Sequence, residues 1–237
     1  MNVGQAVNSV VIAGASGVVG ARVLHHLLRR EDVGRVIAVG RRVLPLQHEK
    51  LVSKVVDLQN PAAVVAEIPE GTSVAFCCLG TTMKQAGSKE AFRAVDYDAV
   101  LAFGQAALER GARRFLLISS VGARASSANF YQRTKGEVEE ALARLGYAQL
   151  TILRPSLIDD EGARRDYRAA ERLLLPLARA VFAVVGRTSR YAPISADVIA
   201  KAMVRLAFDN TTDPVRSVES DELHRLGGRD SVNALSR

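Results

Sequence analysis

Tyr131 and Lys135 are the residues whose types and spacing most directly suggest chemistry. They stand four apart at the start of a predicted helix, so both side chains occupy one face. A lysine ammonium beside a phenol stabilises the phenolate and draws its pKa down from about 10 toward the working range. Ser119 and Ser120 close the strand-like run just upstream, and either can set a hydroxyl against the same substrate oxygen. Together these groups form a proton-transfer device for an alcohol or a carbonyl. Tyr and Lys at this spacing alone describe any amphipathic helix. A second motif, near the start of the chain, changes their meaning.

That motif is Val10-Val11-Ile12-Ala13 followed by Gly14-Ala15-Ser16-Gly17-Val18-Val19-Gly20. Its order is buried strand, glycine-rich turn, helix. Gly14 permits the tight turn, Gly17 lets the backbone approach phosphates, and Gly20 lets the helix pack on the strand. The unpaired N–H groups and dipole of the helix N-terminus then face phosphate charge. A dinucleotide is therefore expected over Gly14, Ser16, Gly17, Val18, Val19 and Gly20, with a nicotinamide as the hydride partner of the tyrosine. An acidic residue about 20 positions further on would hold the ribose hydroxyls of NAD. The chain instead has Gly40-Arg41-Arg42, whose guanidinium groups suit a ribose 2′-phosphate, so NADP is expected over NAD.

The elements that must position these groups alternate along the chain. Strands are predicted over 10–13, 35–39, 51–56, 74–79, 115–118 and 150–153, and helices over 18–30, 61–68, 89–110 and 131–145. Such alternation implies an α/β fold, a Rossmann-type doubly wound parallel sheet with ligands beyond the carboxyl ends of its strands. After Pro155 the regularity changes. Helices are expected over 161–185, broken near Pro176, and over 195–208 with Asp197 in the first turn, then an extended piece over 214–219. Residues 1–237 are expected to form a single domain, with 156–237 contributing a small annex over the cofactor crevice.

Composition excludes several other functions. The chain has 237 residues, is 48% hydrophobic and carries a formal net charge of +7. Its basic residues are scattered as doublets such as Arg29-Arg30, Arg113-Arg114 and Arg164-Arg165 without interleaved aromatics, which argues against nucleic-acid binding as a main role. Arg164, Arg165, Arg168 and Arg172 are spaced like the solvated face of a helix, with an anionic substrate as the other reading. Cys77 and Cys78 are adjacent in an apolar run, where successive side chains take opposite sheet faces, and are expected to be buried thiols. They offer neither a disulfide framework nor metal-ligand spacing, and the four histidines add none, so no metal site is expected. No apolar leader follows Met1 and no run approaches a membrane span, from which a cytoplasmic protein without membrane contact is expected. The helices over 89–110 and 131–145 carry enough apolar surface for a homodimer, or to cover the protein's own sheet.

The chain resembles the short-chain dehydrogenase/reductase superfamily, in its atypical and extended branches. Gly14, Gly17 and Gly20 match the Gly-x-x-Gly-x-x-Gly pattern, and Tyr131 and Lys135 match Tyr-x-x-x-Lys. The segments Cys77-Cys78-Leu79-Gly80-Thr81-Thr82, Ser127-Ala128-Asn129-Phe130-Tyr131 and Lys135-Gly136-Glu137-Val138-Glu139 are similar to the HIV Tat-interactive protein 2-like oxidoreductases. The resemblance implies Tyr131 as catalytic acid/base, Lys135 as ligand of the nicotinamide ribose, and Ser120, or alternatively Ser119, as the group that orients substrate. It also implies that Asp57 and Leu58 border the adenine, that Leu79, Gly80 and Thr81 line the cofactor, and that the backbone at Pro155 lies near the nicotinamide carboxamide. One departure is Val95-Asp96-Tyr97, where many extended members carry asparagine. Another is length: roughly 80 residues follow Pro155, fewer than nucleotide-sugar enzymes usually have, which points to a smaller substrate. The expected function is an NADP-dependent oxidoreductase of a small carbonyl or alcohol. The competing readings are a non-catalytic NADP-binding regulatory or scaffold protein and a sugar-nucleotide epimerase.

Overall fold

A computed structural model describes residues 7–159, 190–209 and 213–228. The elements run β1 (Val7–Ala13), α1 (Val18–Leu28), β2 (Val33–Gly40), β3 (Leu51–Val55), α2 (Pro61–Glu67), β4 (Val74–Cys77), α3 (Met83–Ala86) and α4 (Lys89–Arg93). A π turn (Ala94–Asp98) leads into α5 (Ala99–Glu109), β5 (Arg114–Ile118), α6 (Phe130–Ala143), β6 (Gln149–Arg154) and β7 (Ile158–Asp159). Then come β8 (Ile194–Ser195), α7 (Ala196–Ala207), β9 (Val215–Glu219) and α8 (Ser220–Gly227). Seven strands form one parallel sheet in the order β3-β2-β1-β4-β5-β6-β9, so strand order reverses direction between β1 and β4. Ligands bind such sheets in the crevice at that reversal.

Both faces of the sheet are covered, and the central strands read as continuous apolar runs for that reason. Val10 and Ile12 of β1, Phe76 of β4 and Leu116 of β5 pack on the side of α1 and α7. Val11, Ala13, Cys77, Phe115 and Leu117 pack on the opposite side, beneath α2, α5 and α6. The two cysteines separate accordingly: Cys77 is fully buried on the second side, while Cys78 places its sulfur 3.9 Å from that of Met203 on the first. Burial pushes the Cys77 thiol up to about 12, and that of Cys78 well above its usual range.

The structure differs from the sequence-based elements in informative places. The predicted helix over 89–110 is divided by the π turn. Its apolar residues Val100 and Phe103 are buried in the core against the protein's own sheet, and the buried Phe92 packs on Phe130 and Tyr131 of α6. Of the region after Pro155, β9 pairs in register with β6 and α7 packs on α1, so both extend the main body. The short strands β7 and β8 pair with each other away from the main sheet. The helices expected over 161–185, with Arg164, Arg165, Arg168 and Arg172, lie outside the described residues. Among the described residues, no helix is long and apolar enough to cross a membrane.

Candidate functional site

The turn between β1 and α1 is built for close approach. Gly14 has a φ of +83°, and a β-carbon added to it would lie 2.4 Å from the carbonyl oxygen of Cys78, where β4 ends. A β-carbon on Gly20 would lie 2.1 Å from the carbonyl oxygen of Gly14. Glycine at both positions lets the turn fold against the end of β4 while α1 stays seated on the strand. Gly17, the N-cap of α1, offers no side-chain cap, and the first turn carries no acidic residue. The positive dipole end of α1 can therefore receive an anion in front of Gly17.

In front of this turn lies a cleft of about 310 Å³. Gly14, Ser16 and Gly17 form one wall, and Leu79 and Gly80 another. Arg41 and Arg42 at the end of β2, and Asp57 and Leu58 after β3, close the far side. Sequence reasoning missed further lining residues, among them Ser53, Gln59, Gln85 and Val95. Gln85 sits on a helix of four residues, too short to show periodicity, and Val95 reaches the cleft from the π turn. Arg41 and Arg42 are exposed, and no carboxylate pairs with either among the described residues. The glycine cradle, the uncapped helix end and the guanidinium groups of Arg41 and Arg42 fit a dinucleotide.

The other predicted cofactor residues do not line this cleft. Val18, Val19 and Gly20 lie in the first turn of α1 behind Gly17, with Val19 and Gly20 buried. Pro155 is buried, and its carbonyl accepts the Val121 N–H at 2.9 Å, joining the segment after β6 to that after β5. The Thr81 N–H is already taken by Asp96 Oδ2, at 2.8 Å.

Asp96 leads to the proton-transfer residues. Asn129 caps α6, its side-chain oxygen accepting the Gln132 N–H at 3.2 Å, and so fixes the start of the helix that carries Tyr131 and Lys135. The half-buried Tyr131 ring packs 5.4 Å from Phe92 on α4. Lys135 is buried, and its Nζ lies 2.7 Å from Oδ1 of the fully buried Asp96. Burial opposes the Lys135 charge, but Asp96 and then Tyr131 outweigh it, and the ammonium is held above the usual lysine value. The lysine also reaches the cleft wall: a β-carbon on Gly80 would lie 3.8 Å from Nζ and 3.5 Å from Asp96 Oδ1. Sequence reasoning noted Asp96 only as a replacement for asparagine, because its partner sits on another helix.

The two serines differ. The buried Ser119 hydroxyl donates to Glu139 Oε1, and Glu139 in turn pairs with Arg154, whose Nε lies 3.1 Å away. Ser120 is half-buried, with only a 3.5 Å contact from its hydroxyl to the neighbouring Val121 carbonyl. Ser120 is thus the freer hydroxyl.

Comparison with known proteins agrees with this geometry. A family model described as NAD(P)H-binding matches residues 14–210. The mitochondrial protein fmp52 of Aspergillus fumigatus is 33% identical over 94% of this chain and 97% of its own length. Protein HTATIP2 of Rattus norvegicus is 37% identical over 63% of this chain and 62% of its own. The solved structure of MoeE5 in complex with UDP-glucose and NAD superposes with a TM-score of 0.66 at 17% identity, covering 95% of this chain and 82% of that one, and so shares the fold. Fungal relatives, including those of Eremothecium gossypii and Aspergillus niger, are named mitochondrial, so the cytoplasmic assignment does not stand. It rested on the lack of an apolar leader, and mitochondrial targeting segments are amphipathic and basic instead. With its parallel sheet, its glycine turn and this match over most of its length, the chain belongs to the NAD(P)H-binding family of Rossmann-fold proteins and is a homologue of fmp52 and HTATIP2.

Proposed function

We propose that the chain is an NADP-dependent oxidoreductase acting on a small carbonyl or alcohol. The observation that carries this reading is the reach of Lys135, one turn after Tyr131 on α6, to the Gly80 wall of the glycine-turn cleft. That reach supports a proton-transfer role for the Tyr131–Lys135 pair beside a dinucleotide. When bound, the nicotinamide cofactor supplies or accepts the hydride. The Tyr131 hydroxyl gives its proton to the carbonyl oxygen in reduction, or takes it from the alcohol in oxidation. The Lys135 ammonium stabilises the phenolate left behind and donates to the ribose hydroxyls. Ser120 Oγ donates to the same substrate oxygen and holds it in line.

The preference for NADP rests on Arg41 and Arg42, which border the cleft with no carboxylate pairing either among the described residues. Calorimetric titration tests it: NADPH should bind at least tenfold more tightly than NADH, about 1.4 kcal/mol. In R41A/R42A that difference should vanish while NADH affinity stays. Equal affinities in the unaltered protein would overturn the assignment.

A further inference from the structure

Asp96 is wholly buried, and nothing in a simple glycine-turn site requires a carboxylate there. It is the third residue of the π turn between α4 and α5, where the extra residue per turn shifts the register of side chains relative to a continuous helix. From that position one oxygen faces Lys135 Nζ at 2.7 Å and the other accepts the Thr81 N–H at 2.8 Å. One side chain therefore links α6, which carries Tyr131, to the loop after β4, which walls the cleft. The titratable groups facing Lys135 are Asp96 from the π turn, Tyr131 on its own helix and Cys77 from β4. Asp96 is the carboxylate among them. A lysine buried to this degree without a counter-ion loses its proton readily.

We propose that Asp96 is a positioning residue that keeps Lys135 charged inside the fold and aimed at the cleft, so that cofactor contact survives the burial of the lysine. This rests on the proposed function for the contact with cofactor, but not for the charge on the lysine. Asparagine at the position keeps an acceptor for the Thr81 N–H and removes only the charge. In D96N the lysine stands alone, and its folded-state pKa drops below the unfolded value. A lysine depressed in this way makes the folded state bind fewer protons, so stability climbs as pH rises toward the unfolded lysine value of about 10.4.

The test is a set of thermal melts without cofactor from pH 6 to pH 10 on wild type, D96N and D96N/K135M. D96N should gain about 5 °C or more relative to wild type between pH 7 and pH 10, and the double variant should lose that gain. Parallel profiles for D96N and wild type would overturn the proposal. If D96N does not fold at pH 7, the double variant decides: recovery of folding supports the proposal, and no recovery overturns it. NADPH titration gives the second readout. D96N affinity should fall at least threefold from pH 7 to pH 9 with wild type unchanged, whereas equal pH dependence would reduce Asp96 to a structural ion pair and overturn the aiming role. If wild type binds no dinucleotide at all, the proposed function falls while the melts still decide the charge on Lys135.

Discussion

A hydroxyl that is bonded to a buried carboxylate holds structure, whereas a hydroxyl without such a bond is available to a substrate. Ser119 and Ser120 divide along that line, with Ser119 committed to Glu139. For any carbonyl that the chain turns over, S120A should lower kcat with little change in melting temperature, and S119A should do the reverse. Tyr131→Phe removes only the transferable proton. It should cut kcat by about 10² or more and leave NADPH affinity within twofold, because the ring still packs on Phe92. Steady-state kinetics alongside calorimetry separates the two quantities. Turnover retained in the phenylalanine variant would remove Tyr131 from the chemistry.

At the scale of elements, what the chain shows in sequence depends on how local its cause is. The central strands are legible because a parallel sheet covered on both faces demands unbroken apolar runs, and Val10-Val11-Ile12-Ala13 supplies one. Helix α8 is hidden because it is only 8 residues long and its amphipathic pattern rests on two large apolar residues, Leu223 and Leu226. The π turn is hidden because one additional residue barely disturbs an apolar pattern that runs from Phe92 to Phe103. Tyr131 and Lys135 are legible as a helical pair, but Asp96 and Glu139 find their partners only through tertiary approach. Glu139 shows what such a group does between elements. It joins α6 to the ends of β5 and β6 through Ser119 and Arg154, and Arg154 reaches Glu219 on β9 at 3.3 Å. The surrounding negative charge, first of all the hydrogen bond to Glu139, holds the Arg154 pKa above its usual value. Glu139→Ala leaves a buried hydroxyl and a guanidinium short of a partner. Breaking a buried pair costs about 3–5 kcal/mol, and the low end, about 3, is expected because Arg154 keeps Glu219 and some solvent contact. Urea unfolding measures this, and a loss below about 1 kcal/mol would show that the network is dispensable.

For the molecule as a whole, the sign of the shifted groups fixes how stability responds to acid. Burial lowers the pKa of His224 on α8 below 6.5, with the Ala192 and Pro193 carbonyls opposing it only in part. Its contribution is therefore full above 6.5 and lost as pH falls through the lowered folded value, because the unfolded chain binds that proton more readily. Asp32 is depressed chiefly by its hydrogen bonds from Arg30. At Asp197, burial works the other way, but His26 and Lys201 outweigh it and the carboxyl again sits below 3.8. Both carboxylates contribute above their unfolded values and lose that contribution as pH drops below 3.8. Acid loss should therefore come in two steps, one beginning near pH 6.5 and one below about 4. A formal charge of +7 complicates the first step, since any further protonation adds self-repulsion throughout the molecule. His224→Gln separates the two causes: it removes one titration at the end of the sheet and leaves the rest of the charge in place. Unfolding free energies measured at half-unit intervals from pH 7.5 to pH 3 should show the upper step flattened in H224Q and the lower step unchanged. An upper step of undiminished size in the variant would assign it to general repulsion and remove His224 as its source.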